Sequence, residues 1–269
     1  DLTRLFVGSE GTLGIVTEVT VRLYGIPEFI ISAVVSFADI ETAVNTVIQT
    51  MQLDIPIARI EFIDEVQMAA INSYSGLEYA EQPTLFLEFG GTEAAVREQI
   101  ALVGELCADN GGGDFQWAEK QEDRNALWQA RHDAAYAAMA LRPGSKPWFT
   151  DVCVPISKLA ECILATRKDI DDSLLIAPIL GHVGDGNFHL GLLINPDDPD
   201  EFAAAERINS RMIRRAIHMG GTCTGEHGVG YGKKEFMAAE HGDALDAMRD
   251  IKRAFDPDNI MNPGKIFDL

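Results

Sequence analysis

The chain is poor in cysteine, in positive charge and in long apolar runs. Its 269 residues include only four cysteines, Cys107, Cys153, Cys162 and Cys223, with no CxxC pair. That excludes a disulfide framework and reads as reduced thiols in a cytosolic or organelle-matrix protein. No uncharged apolar run reaches about 18 residues, so no transmembrane helix is expected, and no signal peptide is evident. The chain begins at Asp1 without Met and in mid-pattern, so it reads as a fragment and missing targeting signals carry little weight. Basic residues number 22 against 42 acidic ones, a formal charge of -20. A surface of that sign repels phosphate backbones and anionic headgroups, which disfavours nucleic-acid binding and polybasic membrane docking. An anionic substrate would need positive charge built locally, from a metal or from particular Arg and Lys side chains.

What is present is ordinary globular material, 46% hydrophobic and 24% charged, enough for one large domain or two unequal ones. Residues 15–23 form a β-rich run (Ile15, Val16, Val19, Val21, Leu23) that needs sheet partners on another segment. Pro27 follows, and the boundary is set there: residues 1–28 form one unit and residues 29–269 another. Strand patterns fall at 30–37, 57–64, 84–90, 148–154, 174–183 and 187–194. Between and after them lie helical patterns at about 39–51, 64–72, 92–110, 120–140, 155–171, 199–219 and 242–254. A strand–helix–strand unit recurs near 30–63 and 148–182. The expected fold is therefore α+β, a mainly antiparallel sheet with helices packed on it in ferredoxin-like units.

Two Gly-rich segments carry the chemistry. In Gly181-His182-Val183-Gly184-Asp185-Gly186-Asn187-Phe188-His189, the Asp185-Gly186 pair between apolar runs is a two-residue hairpin signal. That turn would pair His182 with His189 on one face, Cβ atoms about 4.5–5.5 Å apart. Spacing alone leaves two readings open: two imidazoles converging on a divalent ion, or two hydrogen-bonded sheet histidines. The segment Gly220-Gly221-Thr222-Cys223-Thr224-Gly225-Glu226-His227-Gly228-Val229-Gly230 sets a carboxylate beside an imidazole. Glycine costs roughly 0.5–1 kcal/mol in regular structure, so its density here implies unusual φ or close backbone approach. Glu226 would complete a His–His–Glu set with open coordination positions, leaving His227 free as a base near neutral pH. The remaining histidines, His132, His218 and His241, lie in helical or polar surroundings and read as solvated or structural. A third loop, Gly8-Ser9-Glu10-Gly11-Thr12-Leu13-Gly14, suits a diphosphate through its N–H groups or is simply a tight turn.

These segments resemble the FAD-linked oxidoreductases of the vanillyl-alcohol oxidase/PCMH superfamily, in the branch of D-2-hydroxy-acid dehydrogenases. The residues that carry the resemblance are the GSEGTLGIVTEVTVRL opening, EFIDEVQMAA (61–70), PTLFLEFGG (83–91) and RHDAAYAAMALRPGSKPWFTDVCVP (131–155). GHVGDGNFHLGLLINPDD (181–198), GGTCTGEHGVGYGK (220–233) and DPDNIMNPGKIF (256–267) extend it to the C-terminus. The resemblance implies that residues 1–28 are a C-terminal remnant of an FAD-binding domain. Residues 29–269 are then the substrate-binding cap, and the main FAD-binding region lies N-terminal to Asp1. It also implies His182, His189 and Glu226 as ligands of a divalent metal (zinc, manganese or iron), and His227 as the base. Arg131 would clamp the substrate carboxylate bidentately, with Lys146 a second cation. Gly11, Thr12, Gly14 and Ile15 would meet FAD through the backbone, and Asn262 would meet the flavin from the C-terminal tail.

Relatives acting on 2-hydroxyglutarate tend to have Asn where this chain has Gly191, and Thr where it has Ala135. The loss of two polar groups favours a small apolar tail, as in D-lactate, over a distal carboxylate. Glycolate and D-2-hydroxyglutarate are the alternative substrates, and a metal-dependent hydrolase or a mere binding module the alternatives of another class. The electron acceptor implied is cytochrome c or a quinone, and a homodimer is compatible. The place implied is the cytoplasm (or the inner-membrane periphery) in a bacterium, and the mitochondrial matrix side in a eukaryote.

Overall fold

The structure, a computed structural model, describes residues 1–269. After α1 (Leu2–Phe6) come β1 (Phe29–Ser36), α2 (Ile40–Gln52), β2 (Arg59–Ile63), α3 (Glu65–Ser75), β3 (Thr84–Gly91), α4 (Glu93–Asp109) and β4 (Gln116–Ala118). The chain continues through α5 (Gln121–His132), α6 (Ala134–Ala140), β5 (Lys146–Cys153), α7 (Leu159–Asp171), β6 (Ile179–Gly181) and β7 (Asn187–Ile194). It ends with α8 (Pro199–His218), α9 (Met237–His241) and α10 (Ala244–Phe255). The helix starts follow their caps. Asp39 accepts the Thr42 N–H (2.8 Å), Asp64 the Gln67 N–H (2.8 Å) and Asp198 the Asp200 N–H (2.9 Å), with Pro199 opening α8.

All seven strands form one sheet in the order β4-β1-β3-β2-β6-β7-β5, antiparallel throughout. Its first half is wound as a ferredoxin-like unit, with α2 and α4 as crossovers. The second half repeats the winding with α7 and α8, and its fourth strand shrinks to the single bridge Cys153↔Thr222. The halves join where β2 pairs with β6 through Phe62↔Gly181 and Ile63↔Leu180. The α+β expectation and the twofold strand–helix–strand unit therefore both hold.

Strand alternation sends two sets of side chains to opposite faces. On one face 41 buried residues form the main core under α2, α4, α7 and α8, among them Phe62, Leu87, Phe188, Leu190, Val152 and Met212. On the other face a smaller cluster of 12 lies under α3, α5 and α6, including Ile63, Phe86, Met68, Leu127, Trp128 and Leu180.

Four expectations need correction. Residues 15–27 form no strand, and Ile15 (80% exposed), Leu23 (85%) and Ile26 (91%) stand free, because no segment of the chain supplies a pairing edge. Residues 120–140 are two helices, not one, interrupted at Asp133, so that α6 can turn onto α3, where Gln67 Nε2 donates to the Ala134 carbonyl (2.9 Å). The strand expected over 174–183 shortens to Ile179–Gly181, since Pro178 has no N–H to give the ladder, although Ile176 still bridges Leu193. The hairpin register also differs. Leu180 pairs with His189, and Val183–Asp185 form a 3-10 turn in which only Gly186 is left-handed (φ 78°). The turn folds down onto the sheet: a Cβ on Gly186 would stand 2.1 Å from the Val154 carbonyl oxygen. The slip is two residues, an even number, so His182 and His189 still share a face.

Candidate active site and metal centre

The smaller cluster stops short of β7 and β5, and the uncovered face there is polar. Along β7, Phe188, Leu190 and Leu192 enter the main core, so Asn187, His189 and Gly191 turn the other way. Asp151, paired with His189 across β5 and β7, shares that face, as does Glu61 between the core residues Ile60 and Phe62 of β2. His182 lies one residue past β6. Its ring centroid is 5.3 Å from that of His189, with the planes at 85°.

The Gly-rich loop reaches this face through Asp151, whose side chain is fully buried. Asp151 Oδ2 accepts the N–H groups of Gly225 (2.7 Å), Glu226 (2.7 Å) and His227 (3.3 Å), and Oδ1 accepts the Thr224 hydroxyl (3.0 Å). Lys233 Nζ donates to Oδ1 (2.6 Å) and to the Asp151 carbonyl (2.7 Å). Burial by itself would raise this carboxyl's pKa. Lys233 and the converging N–H groups outweigh that and hold it well below the usual carboxylate range. Glycine at 225 lets the loop pack against Asn187: a Cβ there would lie 1.9 Å from Asn187 Nδ2 and force that side chain to move.

Held in this way, Glu226 Oε1 lies 3.3 Å from His182 Nε2 and 3.3 Å from His189 Nε2. Ligands of a tetrahedral zinc at about 2.0–2.1 Å stand about 3.3 Å apart, so the donor atoms already have the spacing a cation needs. Charge points the same way. Glu61, Asp151 and Glu226 bring three negative charges against two positive ones on Arg131 and Lys233, and a dication would invert the sign to suit an anionic substrate. A second group of donors, Asp151, His189 and His227, is also close enough to ligate, but the Asp151 oxygens are filled by the donors just described. The residues thus fit a divalent metal at His182, His189 and Glu226.

His227 stacks on His189 (centroids 4.8 Å apart, planes at 17°). Its Nε2 is 3.9 Å from Glu226 Oε1, beside the donor set, and its Nδ1 is 3.7 Å from Asp151 Oδ1. His182 and His189 differ. Burial first, then the neighbouring His227, pushes His189 down to about 3, whereas the hydrogen bond that His182 gives to Glu61 raises His182. Arg131 reaches the site through Glu61, with Nη2 3.0 Å from Oε2, while its buried Nε has no partner. Lys146 is not brought to the cluster: it opens β5, exposed, about 17 Å along the strand from Asp151.

The N-terminal loop joins from the other side. Glu10 accepts the N–H groups of Val229 (2.6 Å) and Gly230 (2.9 Å), and Asn262 Nδ2 donates to the Glu10 carbonyl. A Cβ on Gly11 would stand 3.7 Å from Asn262 Nδ2, so these two residues are neighbours. Thr12 is buried, with its hydroxyl on the Ser9 carbonyl (2.7 Å) and its own carbonyl on Lys252 Nζ (2.7 Å). Gly14 follows at the turn, and Ile15 projects into solvent.

Sequence reasoning had assigned no role to Glu61, Asp151 or Lys233. The first two carried a usable signal, a lone acid inside an otherwise apolar strand. Lys233 carried none.

An open α+β sheet bears a His–His–Glu donor group with a third imidazole beside it, an arrangement whose spacing fits a divalent cation. The chain belongs to the FAD linked oxidases, and residues 26–266 match the C-terminal domain of that family. It is 52% identical to "Probable D-lactate dehydrogenase, mitochondrial" of Danio rerio, over 100% of this chain and 54% of that protein. It is 46% identical to "D-lactate dehydrogenase [cytochrome], mitochondrial" of Arabidopsis thaliana, over 99% of this chain and 47% of that one. The chain spans about half the length of these relatives. Among solved structures, 4-ethylphenol oxidase from Gulosibacter chungangensis shares the fold, with a TM-score of 0.69 at 16% identity, over 92% of this chain and 55% of that one. No helix is long and apolar enough to cross a membrane.

Proposed function

We propose that this chain is the substrate-binding and metal-binding part of an FAD-dependent D-2-hydroxy-acid dehydrogenase that oxidises D-lactate to pyruvate. The observation that carries the proposal is the equal 3.3 Å approach of Glu226 Oε1 to His182 Nε2 and His189 Nε2, with an unligated His227 beside them. Two D-lactate dehydrogenases at 46–52% identity support the substrate class. Residues 29–269 act as the cap. Residues 1–28 complete an FAD-binding domain, whose sheet offers the unpaired 15–27 segment its partners.

His182, His189 and Glu226 would hold a divalent cation, which would supply Lewis-acid charge at the substrate. FAD, when bound, would supply the two-electron acceptor. Arg131 binds the substrate carboxylate and fixes which face of Cα is presented. His227 takes the hydroxyl proton, and Asp151 keeps its backbone in place through the 226 and 227 N–H groups. Gly191 and Phe149 bound the tail of the substrate. A Cβ at 191 would stand 3.2 Å from the Phe149 ring, so a larger residue must displace that ring and reshape the pocket. Gly11, Gly14, Ile15 and Asn262 face the flavin. Electrons leave to cytochrome c or a quinone.

The test is His227→Ala in the flavin-containing whole protein. D-lactate turnover is expected to fall about 10²–10⁴-fold while the cation stays bound. Retained kcat would remove the base assignment.

A further inference from the structure

Glu61 touches one proposed cation ligand, His182, and the proposed substrate clamp, Arg131, and it is itself neither. It is 8% exposed and stands on β2 between Ile60 and Phe62, the only charged side chain among Ile60–Ile63. Oε1 accepts from His182 Nδ1 at 2.7 Å, and Oε2 accepts from Arg131 Nη2 at 3.0 Å. Both oxygens are thus engaged, and Glu61 belongs to neither group of candidate ligands.

We propose that Glu61 is a positioning residue that couples the cation ligand His182 to the substrate clamp Arg131. A carboxylate only accepts, so it fixes the proton of a neutral His182 on Nδ1 and leaves the Nε2 lone pair directed at Glu226, 3.3 Å away. The same rigid planar group sets the angle of the Arg131 guanidinium, whose Nε is buried and bonded to nothing in the protein. Rotating the carboxylate toward one partner loosens the other. Cation binding and substrate-carboxylate binding are therefore linked through one side chain. This inference rests on the proposed metal and substrate roles above.

Glutamine separates the two duties. Its amide oxygen still accepts from His182 Nδ1, whereas its amide nitrogen meets Arg131 donor to donor. The test measures Zn2+ affinity of the metal-free 1–269 chain by chelator competition for wild type, Glu61→Ala and Glu61→Gln, with thermal melts to show that each is folded. KM and kcat for D-lactate are read in the flavin-containing whole protein. Glu61→Ala is expected to weaken Zn2+ by about 10–100-fold. Glu61→Gln is expected to keep Zn2+ affinity within about threefold yet raise KM about tenfold, with kcat changed less. Zn2+ binding by Glu61→Ala equal to wild type would overturn the proposal, as would equal Zn2+ losses in both variants, which mark a merely structural acid. A wild-type chain that takes up no Zn2+ removes the metal reading, and this proposal with it.

Discussion

The half of the sheet built from β1 to β4 and the half built from β5 to β7 share a winding, and they differ in what covers the face away from the main core. In the first half, α3, α5 and α6 lay Met68, Ile71, Leu127 and Trp128 over Phe86 and Ile63. In the second half that cover reaches Leu180 of β6 and stops there, and over β7 and β5 the face carries His189 and Asp151, joined by His182 and Glu61 at the seam between the halves. A polar cluster arises here by leaving out a cover: the strands still fix the side-chain positions, and the face over β7 and β5 stays open above them. The polar residues are then satisfied by one another and by the Gly-rich loop.

The largest expected effects break one half at a time. Phe86→Ala should cost about 3–5 kcal/mol in urea unfolding and leave Zn2+ affinity unchanged, because it empties the covered side. Asp151→Ala should cost a similar amount, about 3–5 kcal/mol, by stranding the buried Lys233, and should also abolish Zn2+ binding by releasing Glu226. If Asp151→Ala loses stability but binds Zn2+ as wild type does, the loop does not depend on that carboxylate.

A smaller effect contrasts two buried aspartates. Burial pushes Asp64, the cap of α3, up to about 7. Its contribution is fully present below the unfolded value near 4 and is lost as pH rises through 7. Asp151 is held low, so its contribution is present above about 4 and is lost as pH falls below that toward its folded value. Asp64→Asn should flatten the neutral limb of the stability–pH curve, and Asp151→Asn the acid limb. Unfolding midpoints from pH 3 to 8 distinguish them, and curves of unchanged shape would contradict both assignments.

The smallest effect compares two left-handed glycines. Gly76→Ala, at the end of α3 with nothing within 4 Å, should cost about 1 kcal/mol. Gly186→Ala should cost more and weaken Zn2+ binding, since its Cβ meets the Val154 carbonyl oxygen and the shift displaces His182. Equal costs with Zn2+ binding unaltered would mean that the 182–186 turn does not set the ligand.

Much of this was legible in the sequence, and the exceptions have physical reasons. The strands of 30–37, 84–90 and 187–194 announce themselves by apolar runs between turns, and α8 by Asp198-Pro199 and its apolar stripe. The shared face of His182 and His189 was right although the assumed register was not, because parity survives a slip of two. The turn itself lies close against Ile60 and the Val154 carbonyl, distant residues that a Cβ at 184 or 186 would strike. Residues 15–23 read as a strand from propensity alone, and a strand needs an edge to pair with. Glu61 and Asp151 were visible as acids in apolar strands, but their partners come from 70 and 82 positions away, a separation no local pattern encodes.

The central claim is that His182, His189 and Glu226 together hold one divalent cation on the uncovered half of the sheet. Calorimetric titration of the metal-free chain with Zn2+ tests it most directly. One ion per wild-type chain and none in His189→Ala is the expected result. No uptake by the wild type, or the same stoichiometry and affinity in His189→Ala, would contradict it.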